Sequence, residues 1–190
     1  MSPSTSETSS LQVPLFLWGA IFSSTFMMLG ALFVVRPEGM TPDPMMLPVL
    51  GAVALGTACF TLIFPKRLFR AALQGLNVDT TEIEDPTSLP GSGRMLKVPK
   101  HPEVALRAVF QRHQTPFILG LALGESVSLF GFVLGYLGFP LPFVLPFFVA
   151  SWGLMAVQFP NRAAILREAQ QVTGVHFEPP SVASTSVALR

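Results

Sequence analysis

Four long apolar segments, residues 11–35, 45–65, 115–137 and 141–159, limit what this chain can fold into. Each is close to the roughly 20 apolar residues that a helix needs to cross about 30 Å of hydrocarbon. Only 12% of the 190 residues are charged, about half the share usual in soluble domains. These features predict an all-α polytopic membrane protein with four transmembrane helices. The leader, residues 1–10, is rich in Ser and Thr and has no Lys or Arg. A secretory signal would carry a basic start and a shorter core, so segment 11–35 is expected to be a retained helix. The fourth segment carries Pro142 and Pro146, which are tolerated near a helix start and predict an irregular first turn.

Basic residues set the expected orientation. Segment 66–114 holds Lys66, Arg67, Arg70, Arg94, Lys97, Lys100, Arg107 and Arg112, and the tail, 160–190, holds Arg162, Arg167 and Arg190. The first inter-helix link has Arg36 alone, and the turn Gly138-Phe139-Pro140 has none. With four spans the leader, the long loop and the tail share a side. The positive-inside rule makes that side cytoplasmic and places the protein in the cell (inner) membrane with both termini inside.

The loop has its own pattern. Phe69, Ala72 and Leu73 fall on one helical face beside Lys66, Arg67 and Arg70, which predicts an amphipathic continuation in the headgroup region. A second short helix is expected from Pro102, with Glu103 in its first turn and Val104, Ala105, Ala108 and Val109 as its apolar stripe. Residues 79–93 read as a solvated linker. The tail after Val175 reads as disordered.

Several function classes are excluded or disfavoured. A net charge of +1 leaves no basic surface to neutralise phosphates, so nucleic acid is not an expected partner. The lone Cys59 cannot form an intramolecular disulfide. His101, His113 and His176 are far apart in polar segments and read as exposed loop residues, not metal ligands. The chain has no HExxH, no Gly-x-Ser-x-Gly and no paired intramembrane carboxylates, so no enzyme and no cofactor is expected. Membrane lipids are the expected surroundings. A second copy or another membrane subunit is the candidate protein partner.

One residue interrupts the third segment. Glu125 lies one position from the midpoint of 115–137, where an ionised side chain costs at least about 2.5–3.5 kcal/mol. Ser126 is adjacent and Ser128 lies one turn along the same face. The midpoints of the other segments bring Ser23, Ser24 and Thr25, then Thr57, then Ser151 to similar depth. These hydroxyls are candidate hydrogen-bond partners, but they cannot neutralise a charge, so the acid is expected to rest in its neutral form. Gly120, Gly124, Gly131, Gly135 and Gly138 fall on one face of the same helix, and such a stripe permits close helix approach. Three roles stay open for Glu125: proton or cation exchange, structural contact between helices, or pairing with an arginine of another subunit.

The run Ile118-Leu119-Gly120-Leu121-Ala122-Leu123-Gly124-Glu125-Ser126-Val127-Ser128-Leu129-Phe130-Gly131-Phe132-Val133-Leu134-Gly135 resembles the outer helix of the c subunits (proteolipids) of rotary ATP synthases. There a midmembrane carboxylate follows small and aliphatic residues and precedes an aliphatic-aromatic-small triplet, here Leu129-Phe130-Gly131. Pro102-Glu103, after His101, looks like the family's cytoplasmic loop motif. The resemblance covers residues 101–135. It implies that Glu125 takes up and releases an ion, with Ser126 alongside. Sodium-binding members use a Gln on the neighbouring helix; segment 45–65 has none, so the resemblance implies a proton.

Two functional readings follow. In one, this is a proteolipid-like ion-translocating or proton-sensing protein whose ion-binding set is Glu125, Ser126, Ser128, Thr57, Ser23 and Thr25. In the other, it is a non-catalytic membrane scaffold or assembly subunit in which Glu125 and the packing glycines Gly120, Gly124, Gly131 and Gly135 build a helix interface.

Overall fold

The computed structural model describes residues 9–35, 41–84 and 95–177. In chain order these form α1 (Ser9–Val35), α2 (Met46–Gln74), β1 (Thr80–Glu84), β2 (Met95–Pro99), α3 (Pro102–Tyr136), α4 (Leu141–Val157) and α5 (Arg162–Thr173). Three helices, over Gln12–Val35, Met46–Gln74 and Pro102–Tyr136, are long and apolar enough to cross a membrane. The fourth apolar segment yields only the 17 residues of α4, about 26 Å of helix. Pro160 explains the stop, because it biases residue 159 away from the helical region. Among the described residues, a fourth span is reached only if α4 and α5 together make one broken span.

The chain divides into two compact units. The first contains residues up to Phe69 and Gln114–Pro160. Here α3 is the central element: Leu121 and Leu134 are completely buried and Val127 nearly so. Leu134 packs with Leu32, Phe139, Val144 and Phe148. Val127 packs with Ala54 and Leu154, and Leu121 with Phe117 and Met155. On α1, Trp18 and Phe22 stack at 4.8 Å, and Phe26 stacks on Trp152 of α4 at 4.5 Å. Trp18 Nε1 also donates to the Met155 carbonyl at 2.9 Å. The outward faces are apolar as well. Phe16, Met27 and Val34 of α1 are 80%, 76% and 85% exposed, and an uncovered apolar surface of this kind marks contact with a membrane or a partner.

The turn from α3 to α4 is decided by Gly138, whose φ of 90° disfavours any residue with a Cβ. Phe139 N donates to the Leu134 carbonyl and Gly138 N to the Gly135 carbonyl, both at 3.1 Å. This is a Schellman closure, with its usual apolar contact supplied by Phe139 and Leu134. Pro140 then precedes α4 in an extended conformation, and no side chain caps the helix.

The second unit contains Arg70–His113 and the chain from Asn161. It departs from the sequence reading at several points. Residues 80–84 and 95–99 are not linker and loop but an antiparallel hairpin, with Glu82 opposite Lys97 and Ile83 opposite Leu96. The remainder of the expected linker, 85–93, lies outside the described residues, as do the leader up to residue 8, Arg36, and the tail from residue 178. The short helix expected from Pro102 does begin there, but it continues without a break into the third apolar segment. Its stripe is also rotated: Ala105 and Val109 are buried whereas Val104 is 68% exposed. Leu73, Ala105 and Val109 are covered by protein, not laid out on a headgroup surface.

Part of the expected tail is the helix α5. Asn161 caps it by accepting from Ala163 N at 3.0 Å, and Gly174 ends it in the left-handed region. Its face of Ile165, Leu166 and Ala169 is buried. Beyond it Val175 bridges to Lys97 of β2, and His176 N donates to the Lys97 carbonyl at 2.8 Å. Arg70 pairs with Glu168. Arg112 donates to the carbonyls of Ala72 and Gly75, which no helical N–H can serve at the end of α2.

Candidate functional site

Glu125 is half-buried on α3, within the first unit. Ser24 of α1 donates its hydroxyl to Glu125 Oε1 at 2.6 Å. The same Ser24 oxygen lies 2.7 Å from the Ile21 carbonyl, one turn earlier on its own helix. Among the described residues, Ser24 is the group that reaches the carboxylate. It belongs to the triplet that the sequence places at this depth, whereas the expected ion-binding set contains its neighbours Ser23 and Thr25.

Those neighbours are placed otherwise. Ser23 is exposed. Thr25 is fully buried; it donates to the Phe22 carbonyl at 2.8 Å and accepts from Trp152 Nε1 at 2.8 Å, tying α1 to α4. Thr57 donates to the Val53 carbonyl of its own helix at 2.9 Å, and Ser126 does the same with Ala122 at 2.8 Å. Ser128 reaches Glu125, but at the main-chain carbonyl, 2.7 Å away. Ser151 of α4 donates to the Gly124 carbonyl at 2.8 Å. Back-bonding of this kind is the common state of Ser and Thr in a helix, because the carbonyl one turn earlier is always in reach. The polar layer predicted around the carboxylate is therefore mostly a set of hydroxyls bonded to backbone.

The glycines of α3 line its contacts. A Cβ at Gly131 would stand 2.7 Å from Phe147 Cβ and 3.3 Å from the Val144 carbonyl of α4. One at Gly135 would stand 2.7 Å from Leu32 Cδ1 of α1. At Gly120 a Cβ would overlap the side-chain amide of Gln158, whose nitrogen and oxygen are buried without a hydrogen-bond partner among the described residues. Gly124 is less crowded, with Met155 Cγ at 3.6 Å from its ideal Cβ. Glu125, one residue on and about 100° around the helix, instead meets α1.

Two of the three histidines differ from the exposed loop positions expected of them. His101 is exposed, whereas His113 is half-buried within α3, where burial pushes its pKa down to about 4. His176 is also half-buried, with Gln170 Nε2 2.8 Å from its Nδ1.

No protein-family model, curated protein or solved structure matches this chain. The site has to be read from its own geometry.

Proposed function

We propose that this chain is an integral membrane protein in which Glu125 takes up and releases a proton at mid-membrane depth. The observation that carries the reading is the 2.6 Å contact between Ser24 of α1 and Glu125 of α3. It joins a carboxyl to a hydroxyl, with no basic group at the carboxylate among the described residues. A hydroxyl partner can donate to the ionised acid or accept from the neutral one, whereas an arginine would hold the acid ionised. The resemblance of 101–135 to rotor-ring proteolipids adds to this reading. The orientation that accompanies it is four passes of the cell (inner) membrane with both termini cytoplasmic, on the strength of the basic residues in the loop and tail. A single acid makes no continuous path, so translocation across the bilayer requires a second copy or another membrane subunit.

Reaction with a hydrophobic carbodiimide tests the reading, because that chemistry needs a protonated carboxyl reachable from an apolar phase. Wild-type protein should be modified at Glu125, with modification declining as pH rises. Glu125→Gln should abolish modification and any proton-coupled activity while keeping the fold. Resistance of the wild type at every pH would overturn it.

The alternative is a membrane scaffold in which Glu125 joins α1 to α3 and performs no exchange. The specific support for it is that Ser128, Ser126, Thr57 and Ser151 bond backbone carbonyls, as structural hydroxyls do. Full activity of the Glu125→Gln variant in the native membrane would favour this reading.

A further inference from the structure

Ser24 has one proton and two acceptors. Its oxygen is 2.6 Å from Glu125 Oε1 and 2.7 Å from the Ile21 carbonyl, both ordinary O–H···O distances. One hydroxyl proton cannot serve both. When Glu125 is ionised, a hydrogen bond to the carboxylate is the stronger choice, being charge-assisted. The Ile21 carbonyl then relies on its place in the helix ladder. When Glu125 is neutral, the acid has a proton to donate and Ser24 Oγ has a lone pair to accept it. The Ser24 proton is then free for the Ile21 carbonyl, and the chain Glu125 to Ser24 to Ile21 runs in one direction, each bond strengthening the next.

We propose that Ser24 is a positioning residue for the exchanging proton: its hydroxyl reverses direction with the charge of Glu125, satisfying both protonation states without displacement of either helix. The proposal rests on the reading of Glu125 as a proton-exchanging acid. The proton gained or lost comes from and returns to water; the Ser24 O–H bond rotates and is not broken.

The surroundings hold the Ser24 backbone in place. The next residue, Thr25, is held to Trp152 at 2.8 Å, and Trp18, nearly two turns earlier, is held to the Met155 carbonyl at 2.9 Å. Both bonds anchor α1 to α4. The helix does not have to move to follow the carboxyl.

Infrared difference spectra of the full chain in lipid, recorded as pH is lowered, separate the two levels of the argument. A carboxyl C=O band should appear on acidification, and Glu125→Gln should remove it; if that variant fails to fold, Glu125→Asp should move the band instead. A band indifferent to both changes would overturn the Glu125 reading, and the role of Ser24 with it. Given a band assigned to Glu125, Ser24→Ala should displace its frequency, because the acid O–H loses its acceptor, and Ser24→Thr should leave it nearly in place. In a Ser24→Cys, Cys59→Ala protein the single S–H stretch should change with the same pH midpoint as the carboxyl band. An unmoved carboxyl band in Ser24→Ala, or an S–H band constant through the carboxyl titration, would show that Ser24 does not follow the proton.

Discussion

Ser151 of α4 donates its hydroxyl to the main-chain carbonyl of Gly124, 2.8 Å away, one residue before Glu125. A side-chain bond to a neighbouring helix's backbone requires close approach, and residue 124 allows it by having no side chain. The same closeness recurs at Gly131, where α4 passes a Cβ-sized space from Phe147. The glycine face of α3 is thus a contact with α4 over most of its length, and with α1 at Gly135.

Graded substitutions should separate these positions. Gly131→Ala should destabilise the protein by about 1–3 kcal/mol, the usual cost of overpacking, because Phe147 Cβ and the Val144 carbonyl sit on or beside backbone and cannot swing aside. Gly124→Ala meets only ordinary contacts and should be neutral or gain up to about 1 kcal/mol from helix propensity. Gly124→Leu should destabilise. Thermal unfolding in detergent reads all three; equal stability of the Gly131→Ala and Gly124→Ala proteins would mean that α4 does not pack as described.

The basic residues predict sidedness. Single cysteines at Ser92 and Ser184, in a Cys59→Ala background, should react with an impermeant thiol reagent from the cytoplasmic side, and one at Pro140, exposed in the turn before α4, from the other. Reaction of the Ser92 and Ser184 positions from opposite sides would reject the four-span topology.

His113 should make the fold acid-sensitive. Its pKa is depressed to about 4 from an ordinary 6.5, so between these values the unfolded chain binds the proton more tightly than the folded one. The contribution is complete above pH 6.5 and declines as pH falls towards 4, at up to about 1.4 kcal/mol per pH unit. Denaturation midpoints measured across this window should fall with acid in the wild type and fall less in His113→Gln.

Arg112 should be needed at the end of α2. Its guanidinium serves the carbonyls of both Ala72 and Gly75, and a planar fork is required to reach two acceptors at once. Arg112→Ala should cost about 1.5–3 kcal/mol, and Arg112→Lys should recover only part of it. Hydrogen exchange at the end of α2 is the local readout, with faster exchange expected in both variants.

Much of the helical architecture is legible because hydropathy is a property of a segment alone. An uninterrupted apolar run such as 11–35 has few alternatives to a helix when its backbone groups must be satisfied internally. The depth of Glu125 within 115–137 follows by counting. Asn161 before an Ile165, Leu166 and Ala169 face, with Gly174 beyond it, was an equally local signal for α5. The hairpin was harder to see, since strands of five residues acquire their meaning from the partner they pair with.

The partner of Glu125 was beyond local reading for a physical reason. Successive residues of α1 point about 100° apart, and that helix is apolar all around, so nothing in its pattern shows which of Ser23, Ser24 and Thr25 turns towards α3. That phase is set by packing: Trp18 and Trp152 bind α1 to α4 and leave Ser24 facing the carboxylate. Composition and spacing determined that this chain makes long apolar helices with an acid deep in one of them. Only the tertiary structure decided which hydroxyl the acid meets, because the choice depends on the rotation of one helix against another.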